Sequence, residues 1–352
     1  MRRLCKHLVS AALVGAVGLA APLASHAAQA MRFAHDNKTD MTENPAHAFT
    51  GVFANLVEAS TNGEVTVEVF PNNQLGSAKE HIQMVRDGVI QGTLASVGAL
   101  TSYYPRIGVL NLPFAFNDIS ATYEVFDGEF GKALAADIER ELGDVKVLGF
   151  PDTGGFFSIT NSVRPIETLE DFEGIRIRTM TLPAHQKLIQ ALGGEAYPLS
   201  WGEVYSALQT GAIDGQMNPI PTVSFAKFDE VQSYLTLTNH LFSPYTLLIN
   251  REYYESLTET QQNMLRAAAR SGIAASRGLS RIIEASEDRG LAGLAEKMEV
   301  NALSPETRER FREVAQPAVR GYLEKNLDDK GRELLQLFVE KTRAANADHY
   351  LQ

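Results

Sequence analysis

The chain has 352 residues, 44% of them hydrophobic and 21% charged, with a formal net charge of −11. This length accommodates about two domains of ordinary size, and the composition is that of a folded protein rather than a disordered one. An acidic balance of this size makes nucleic acid a poor partner.

The first residues carry a targeting signal. Arg2, Arg3 and Lys6 precede a run of small and apolar residues over 8–21, Pro22 breaks the run, and Ser25-His26-Ala27 fits a small-x-small cleavage site. The pattern predicts a secretory signal peptide over residues 1–27. The run is too short, and too rich in Ala and Gly, for a membrane span, and no later segment is long and apolar enough for one. Cleavage removes three cations and no acid, which takes the charge from −11 to −14. It also removes Cys5, the only cysteine. The mature chain then has neither disulfide nor thiol chemistry. Cys5 precedes the apolar run, so it is not placed for lipid attachment.

Residues 32–35 read as a first strand and 42–60 as a helix with Pro45 near its start. Residues 64–70 alternate as a strand, 77–87 read as a helix, and 90–97 as the next strand. Helix and strand in repetition predict a parallel or mixed sheet. Residues 105–117, with Pro105 and Pro113, read as a loop, 119–142 as one helix and 145–150 as a strand. The run Pro151-Asp152-Thr153-Gly154-Gly155 suits a crossing between lobes or a hinge. A strand at 156–160 follows.

Next comes GIRIRTM. Ile175 and Ile177 alternate with Arg176 and Arg178, which is strand periodicity with one apolar and one cationic face. A strand end in water explains one such arginine. For Arg178 a position at the strand's carboxyl end, aimed into a cleft, is the sharper expectation, since ligands of open α/β sheets collect there. The planar fork of an arginine meets a carboxylate with two parallel hydrogen bonds. Helices are expected over 183–192 and 202–210, with strands over 213–216 and 246–250, the last returning to the first lobe. Thr258 and Gln261 form a capping box at the start of a helical run reaching about residue 298. Two more helices follow, over 304–325 and 328–346. The picture is two α/β lobes joined by more than one crossing, with a helical C-terminal third. The cleft between such lobes is a natural site for a small molecule.

Enzyme motifs are missing: no GxGxxG, GxxxxGK[ST], HExxH or GxSxG. His35, His47, His81, His185, His240 and His349 are scattered, without metal-ligand spacing. No metal or cofactor is implied.

The segments GIRIRTM and PLSWGEVYSALQTGAIDGQMNPI resemble the solute-binding proteins of TRAP (tripartite ATP-independent periplasmic) transporters, of the C4-dicarboxylate-binding type. QLGSAKEHIQMVRDG, LNLPF and ETLEDFEGIRIR match the same family in place, and the likeness spans nearly the whole mature chain. IRTMT and PLxWGEVY look most like the ectoine-binding member. The resemblance implies a periplasmic protein with the two-lobed α/β periplasmic binding protein fold, mixed sheets flanked by helices, and a long helix spanning the hinge. It implies lobe I over 28–152 plus 244–285 and lobe II over 153–243 plus 286–352. It further implies that the closed complex is delivered to a membrane permease.

By the same resemblance, Arg178 grips the ligand carboxylate, Asn218 assists it and Trp201 lies against the ligand. Asp36, Asn37, Lys79, Ser96 and Thr181 fall at positions that line the pocket. Where sialic-acid-binding members carry a second arginine, this chain reads Gly155-Phe156-Phe157-Ser158, which disfavours a sialic acid. Asn37 stands where the ectoine-binding member has an acid, and Ala99 and Ser243 replace its boxing aromatics. A hydroxy or sugar acid is therefore favoured over an ectoine-like zwitterion, and the protein is expected to be a monomer. A secreted enzyme acting on a small organic acid in the same cleft is the alternative. A sensor subunit presenting ligand to a receptor would share the pocket.

Overall fold

The structure is a computed structural model and describes residues 29–347, so the signal peptide expected over 1–27 lies outside the described residues. Its eleven described strands are β1 (Gln29–Ala34), β2 (Val65–Phe70), β3 (Gly92–Ala95), β4 (Val145–Val147), β5 (Phe156–Asn161), β6 (Arg176–Thr179), β7 (Glu195–Pro198), β8 (Gly215–Pro219), β9 (Tyr234–Phe242), β10 (Thr246–Asn250) and β11 (Glu299–Ala302). They form two mixed sheets flanked by helices, ordered β2-β1-β3-β10-β4 and β11-β9-β5-β8-β6-β7. In the first, β1 runs parallel to β2 and β3, and β10 runs antiparallel between β3 and β4. In the second, β6 is parallel to β7 and β8, while β5 is antiparallel to β8 and β9.

Local chemistry accounts for the main helices. The helix Pro45–Ser60 starts where the Asn44 side chain accepts from the Ala46 and His47 amides and proline occupies the first turn. Its buried Phe49, Phe53 and Val57 recur every four residues, and the two phenylalanines meet Phe33 of β1. The helix Glu259–Glu284 begins at the Thr258–Gln261 capping box and packs along Pro45–Ser60. Gly272 permits that approach, because a Cβ there would lie 2.9 Å from the Phe49 ring. The same long helix also meets Ile220–Phe225, beside the second sheet.

Several elements depart from the expected pattern. The helix expected over 119–142 is two, Ile119–Asp127 and Glu129–Leu142, broken at an extended Gly128. Gly131 makes the break compatible with packing, since a Cβ there would lie 1.8 Å from the Phe126 carbonyl. Residues Pro105–Asn111, expected as loop, form a 3-10 helix. The long helical run stops at Glu284, and after the short helix Leu291–Ala295 the chain enters β11, beside β9. The last two helices are Pro305–Asn326, which packs on Pro183–Ala191, and Asp329–Ala347, which packs on both halves of the broken helix. Among the described residues no helix is long and apolar enough to cross a membrane.

The chain passes between the sheets from β4 to β5, from β9 to β10, and along Glu259–Glu284. At the first passage Gly154 and Gly155 have φ of 138° and 108°. That backbone region favours glycine. Both amides donate to Asp152 Oδ1, at 2.9 and 2.8 Å, and Tyr123 donates to its Oδ2 at 2.8 Å.

Candidate functional site

A cavity of about 660 Å³ lies between the two sheets. Its polar walls are built where parallel strands end. Asp36 and Asn37 follow β1, Ser96 follows β3, Arg178 lies near the end of β6, and Asn218 near the end of β8. Strand carboxyl ends are where open α/β sheets present ligand contacts. The register explains the pairing of Arg178 with Asn218. Arg178 is matched with Gln216 on β8, and Asn218, two residues further, projects from the same face.

Arg178 is 3% exposed. Its Nε and Nη2 donate to the Leu199 carbonyl at 3.1 and 2.8 Å, and Nη1 makes no hydrogen bond among the described residues. Burial lowers its pKa to about 10, opposed by the charges of Asp36 and Glu203. It therefore remains a cation at neutral pH. Arg176, by contrast, is tied to Asp214 at 2.6 Å outside the cavity, the strand-end reading.

A relay of buried side chains stands behind Asn218. Its Nδ2 donates to Gln216 Oε1 at 2.6 Å, Gln216 Nε2 to the Thr160 hydroxyl at 3.0 Å, and that hydroxyl to Gln232 Oε1 at 2.8 Å. The relay orients the Asn218 amide and leaves one of its N–H groups for a ligand. Trp201 is held against Phe225 and Phe228, with ring centroids 6.1 and 5.9 Å away, and lines the cavity.

From the first sheet, Asn37 donates both amide protons, to Asp36 Oδ1 and to the Tyr245 hydroxyl, each at 2.8 Å. Burial raises the pKa of Asp36 from 3.8 to about 6, opposed by its hydrogen bonds and by Arg178. Lys79 is exposed at the rim, with no ion pair among the described residues. Ser96 caps the short helix Val97–Leu100, accepting from the Ala99 amide at 3.3 Å. Thr181 reaches across to the Gly98 carbonyl at 3.5 Å.

All eight residues singled out from the sequence (Arg178, Asn218, Trp201, Asp36, Asn37, Lys79, Ser96 and Thr181) line this one cavity. Sequence reading missed Glu203, Phe157, Phe225 and Tyr245, which share it. Glu203 had a local signal, the Ser200–Glu203 capping box, but that reports a helix start and not a cavity. Tyr245 had none beyond its place before β10. Ala99 and Ser243 also line the cavity, and among the described residues its only cations are Arg178 and Lys79. Among the described residues no group of three His, Cys, Asp or Glu is arranged to hold a metal ion.

Two mixed α/β lobes around a polar cavity, spanned by one long helix, are the build of a bilobal solute-binding protein. Over residues 37–326 the chain matches DctP, the bacterial extracellular solute-binding protein family 7, and it belongs to that family of TRAP transporter solute-binding proteins. It is 34% identical over 257 residues to the 2,3-diketo-L-gulonate-binding periplasmic protein YiaO of Escherichia coli K12, covering 72% of this chain and 76% of that one. It is 30% identical over 352 residues to the ectoine-binding periplasmic protein TeaA of Halomonas elongata, covering 97% and 98%. The crystal structure of the sugar acid binding protein DctPAm from Advenella mimigardefordensis, in complex with galactonate, superposes with a TM-score of 0.82 at 30% identity, over 90% of this chain and 99% of that one. The family and these neighbours are substrate-binding proteins, not enzymes.

Proposed function

We propose that this protein works in the periplasm as a monomer, captures a small hydroxy or sugar acid between its lobes, and delivers it to a TRAP permease. The observation that carries this reading is Arg178: a cation 3% exposed, on the wall of the interlobe cavity, bonded among the described residues to one carbonyl only, with Nη1 left without a hydrogen bond. A buried charge without a partner is costly, and a ligand carboxylate supplies the partner. The carboxylate takes Arg178 and the spare N–H of Asn218, Trp201 covers one face, and Asp36, Asn37 and Ser96 meet hydroxyl groups from the other lobe.

The ligand class follows from what else is on the wall. Ala99 and Ser243 stand in place of aromatics of the ectoine-binding member, and the segment 155–158 itself carries no arginine for a sialic acid. A polyhydroxylated acid, the kind named for YiaO and DctPAm, suits a cavity rich in amides and hydroxyls. We take lobe I as 28–152 plus 244–285 and lobe II as 153–243 plus 286–352, save that the packing of Asp329–Ala347 on the broken helix favours counting it with lobe I.

Titration calorimetry with galactonate and ectoine tests the reading. Galactonate binds and ectoine does not, and Arg178→Ala weakens galactonate about thirtyfold or more, the scale of removing one partner of a buried pair. Unchanged affinity in that variant removes Arg178 from the site.

A further inference from the structure

We propose that a second cavity, walled by the last two helices and the loop over 112–117, is an accessory site for a small multivalent oxyanion, either a di- or tricarboxylate or a phosphate. It encloses about 420 Å³ and shares no lining residue with the interlobe cavity.

The sequence builds its cationic wall by spacing. On the helix Pro305–Asn326, Arg308, Arg312, Gln316 and Arg320 recur every four residues and form one stripe. The helix Asp329–Ala347 adds Arg343 from the facing side. Among the described residues, four arginines thus line a cavity with a single carboxylate, Glu309, in a chain whose net charge is −11. Two of them already have partners: Arg312 holds Glu309 at 2.8 Å and Arg320 holds Glu324 at 2.7 Å. The other two do not. Arg308 is half-buried without an ion pair among the described residues, its guanidinium 5.4 Å from the Phe114 ring centroid and its Nη2 3.5 Å from the Phe116 carbonyl. Burial lowers its pKa, opposed by the charge of Glu309 and reinforced by that of Arg312. Arg343 makes no hydrogen bond or ion pair among the described residues.

The loop opposite is held in place. Gln316 Nε2 donates to the Pro113 carbonyl and Asn346 Nδ2 to the Ala115 carbonyl, each at 2.8 Å. Phe114, between them, has φ of 55°, a backbone that a bulky residue rarely adopts. Its amide donates to the His240 carbonyl at 2.8 Å, and its ring faces Arg308. Strained backbone that persists next to a cavity is a mark of ligand sites. Two guanidinium groups from different helices, neither in an ion pair among the described residues, match an anion with more than one charged group, because each fork takes one carboxylate or one phosphate edge. An anion there also relieves the repulsion between Arg308 and Arg312, one helical turn apart.

Citrate and inorganic phosphate are the probes, titrated calorimetrically into the whole protein, the two arms separating carboxylate from phosphate recognition. At least one binds with one-to-one stoichiometry. Arg178→Ala leaves that binding unchanged, while the double variant Arg308→Gln/Arg343→Gln weakens it about tenfold or more, the scale of one lost charged hydrogen bond. Galactonate affinity in the double variant stays within about twofold, so failure here is separable from failure of the interlobe reading. Arg343→Gln alone, an exposed change that leaves the fold intact, weakens the anion about threefold and decides the matter should the double variant unfold. Binding of neither probe, binding indifferent to both arginines, or binding abolished by Arg178→Ala overturns the site.

Discussion

Arg178 and Asp36 reach one cavity from opposite sheets, 3% and 7% exposed, with opposite charges and no ion pair between them. Each stabilises the other's charge at a distance, and each remains under the strain of burial. Both line the cavity in which, on the proposed reading, the ligand sits.

The aspartate makes stability depend on pH in an uncommon direction. Its pKa rises on folding from 3.8 to about 6, because burial disfavours the charged form. The folded state then holds more protons than the unfolded state between those values, so stability is greatest below the lower one and falls as pH rises through 6. The ionised carboxylate costs about 3 kcal/mol at neutral pH. Asp36→Asn, which keeps an acceptor for the Asn37 amide, is expected to raise the melting temperature of the ligand-free protein by several degrees at pH 7.5 and to change it little at pH 4. An equal rise at both values argues against a buried ionised Asp36.

A carboxylate ligand brings a second negative charge beside Asp36 and raises its pKa further. Binding of galactonate near pH 7 is then coupled to proton uptake of up to about one proton, and affinity falls as pH is raised from 6 to 8. Calorimetry in buffers of different ionisation enthalpy reads the proton count directly. Proton release, or none, excludes Asp36 from the vicinity of the ligand.

Gly98 marks where the lobes touch. A Cβ there would lie 2.8 Å from Cβ of Met180, next to the backbone of the other lobe, and Thr181 bonds to the Gly98 carbonyl. Gly98→Ala props the cleft open rather than damaging either lobe. Galactonate affinity is expected to fall about tenfold, with the melting temperature of the free protein within about 2 °C. Small-angle scattering checks the cause, since the variant fails to contract on adding galactonate. Wild-type contraction would place the lobe contact elsewhere.

The break at Gly128 gives a stability test away from the cavity. A Cβ on Gly131 would sit 1.8 Å from the Phe126 carbonyl, which is backbone and cannot yield. Gly131→Ala is expected to destabilise by about 1–3 kcal/mol or more in urea unfolding. A neutral result means that the two helices tolerate rejoining.

The broken helix also shows where sequence reading ran out. Gly128 and Gly131 sit in an unbroken helical pattern, and glycine is tolerated within helices, so only the packing of Phe126 reveals the kink. β7 and β11 went unread for another reason. Both are largely exposed edge strands without an apolar stripe, and only their pairing with β6 and β9 makes them strands. β9 is different again: Leu235 and Leu237 alternate with Thr236 and Thr238, so its period was there to be read and was passed over. The cavity was more legible, since Arg176 and Arg178 announce a cationic strand face and strand ends gather ligand contacts. The choice between the two arginines was legible too, since Arg178 lies nearer the strand's carboxyl end; what pattern could not give was Asp214, which holds Arg176 outside the cavity.

β10 occupies the slot between β3 and β4, hydrogen-bonded to both. A polypeptide made from its amino end has both rails of that slot by residue 147 but must wait about a hundred residues more for the piece that fills it. Neither half of the molecule is therefore a contiguous stretch that can mature first. A truncation before residue 246 is expected to leave not one finished lobe but two unfinished ones.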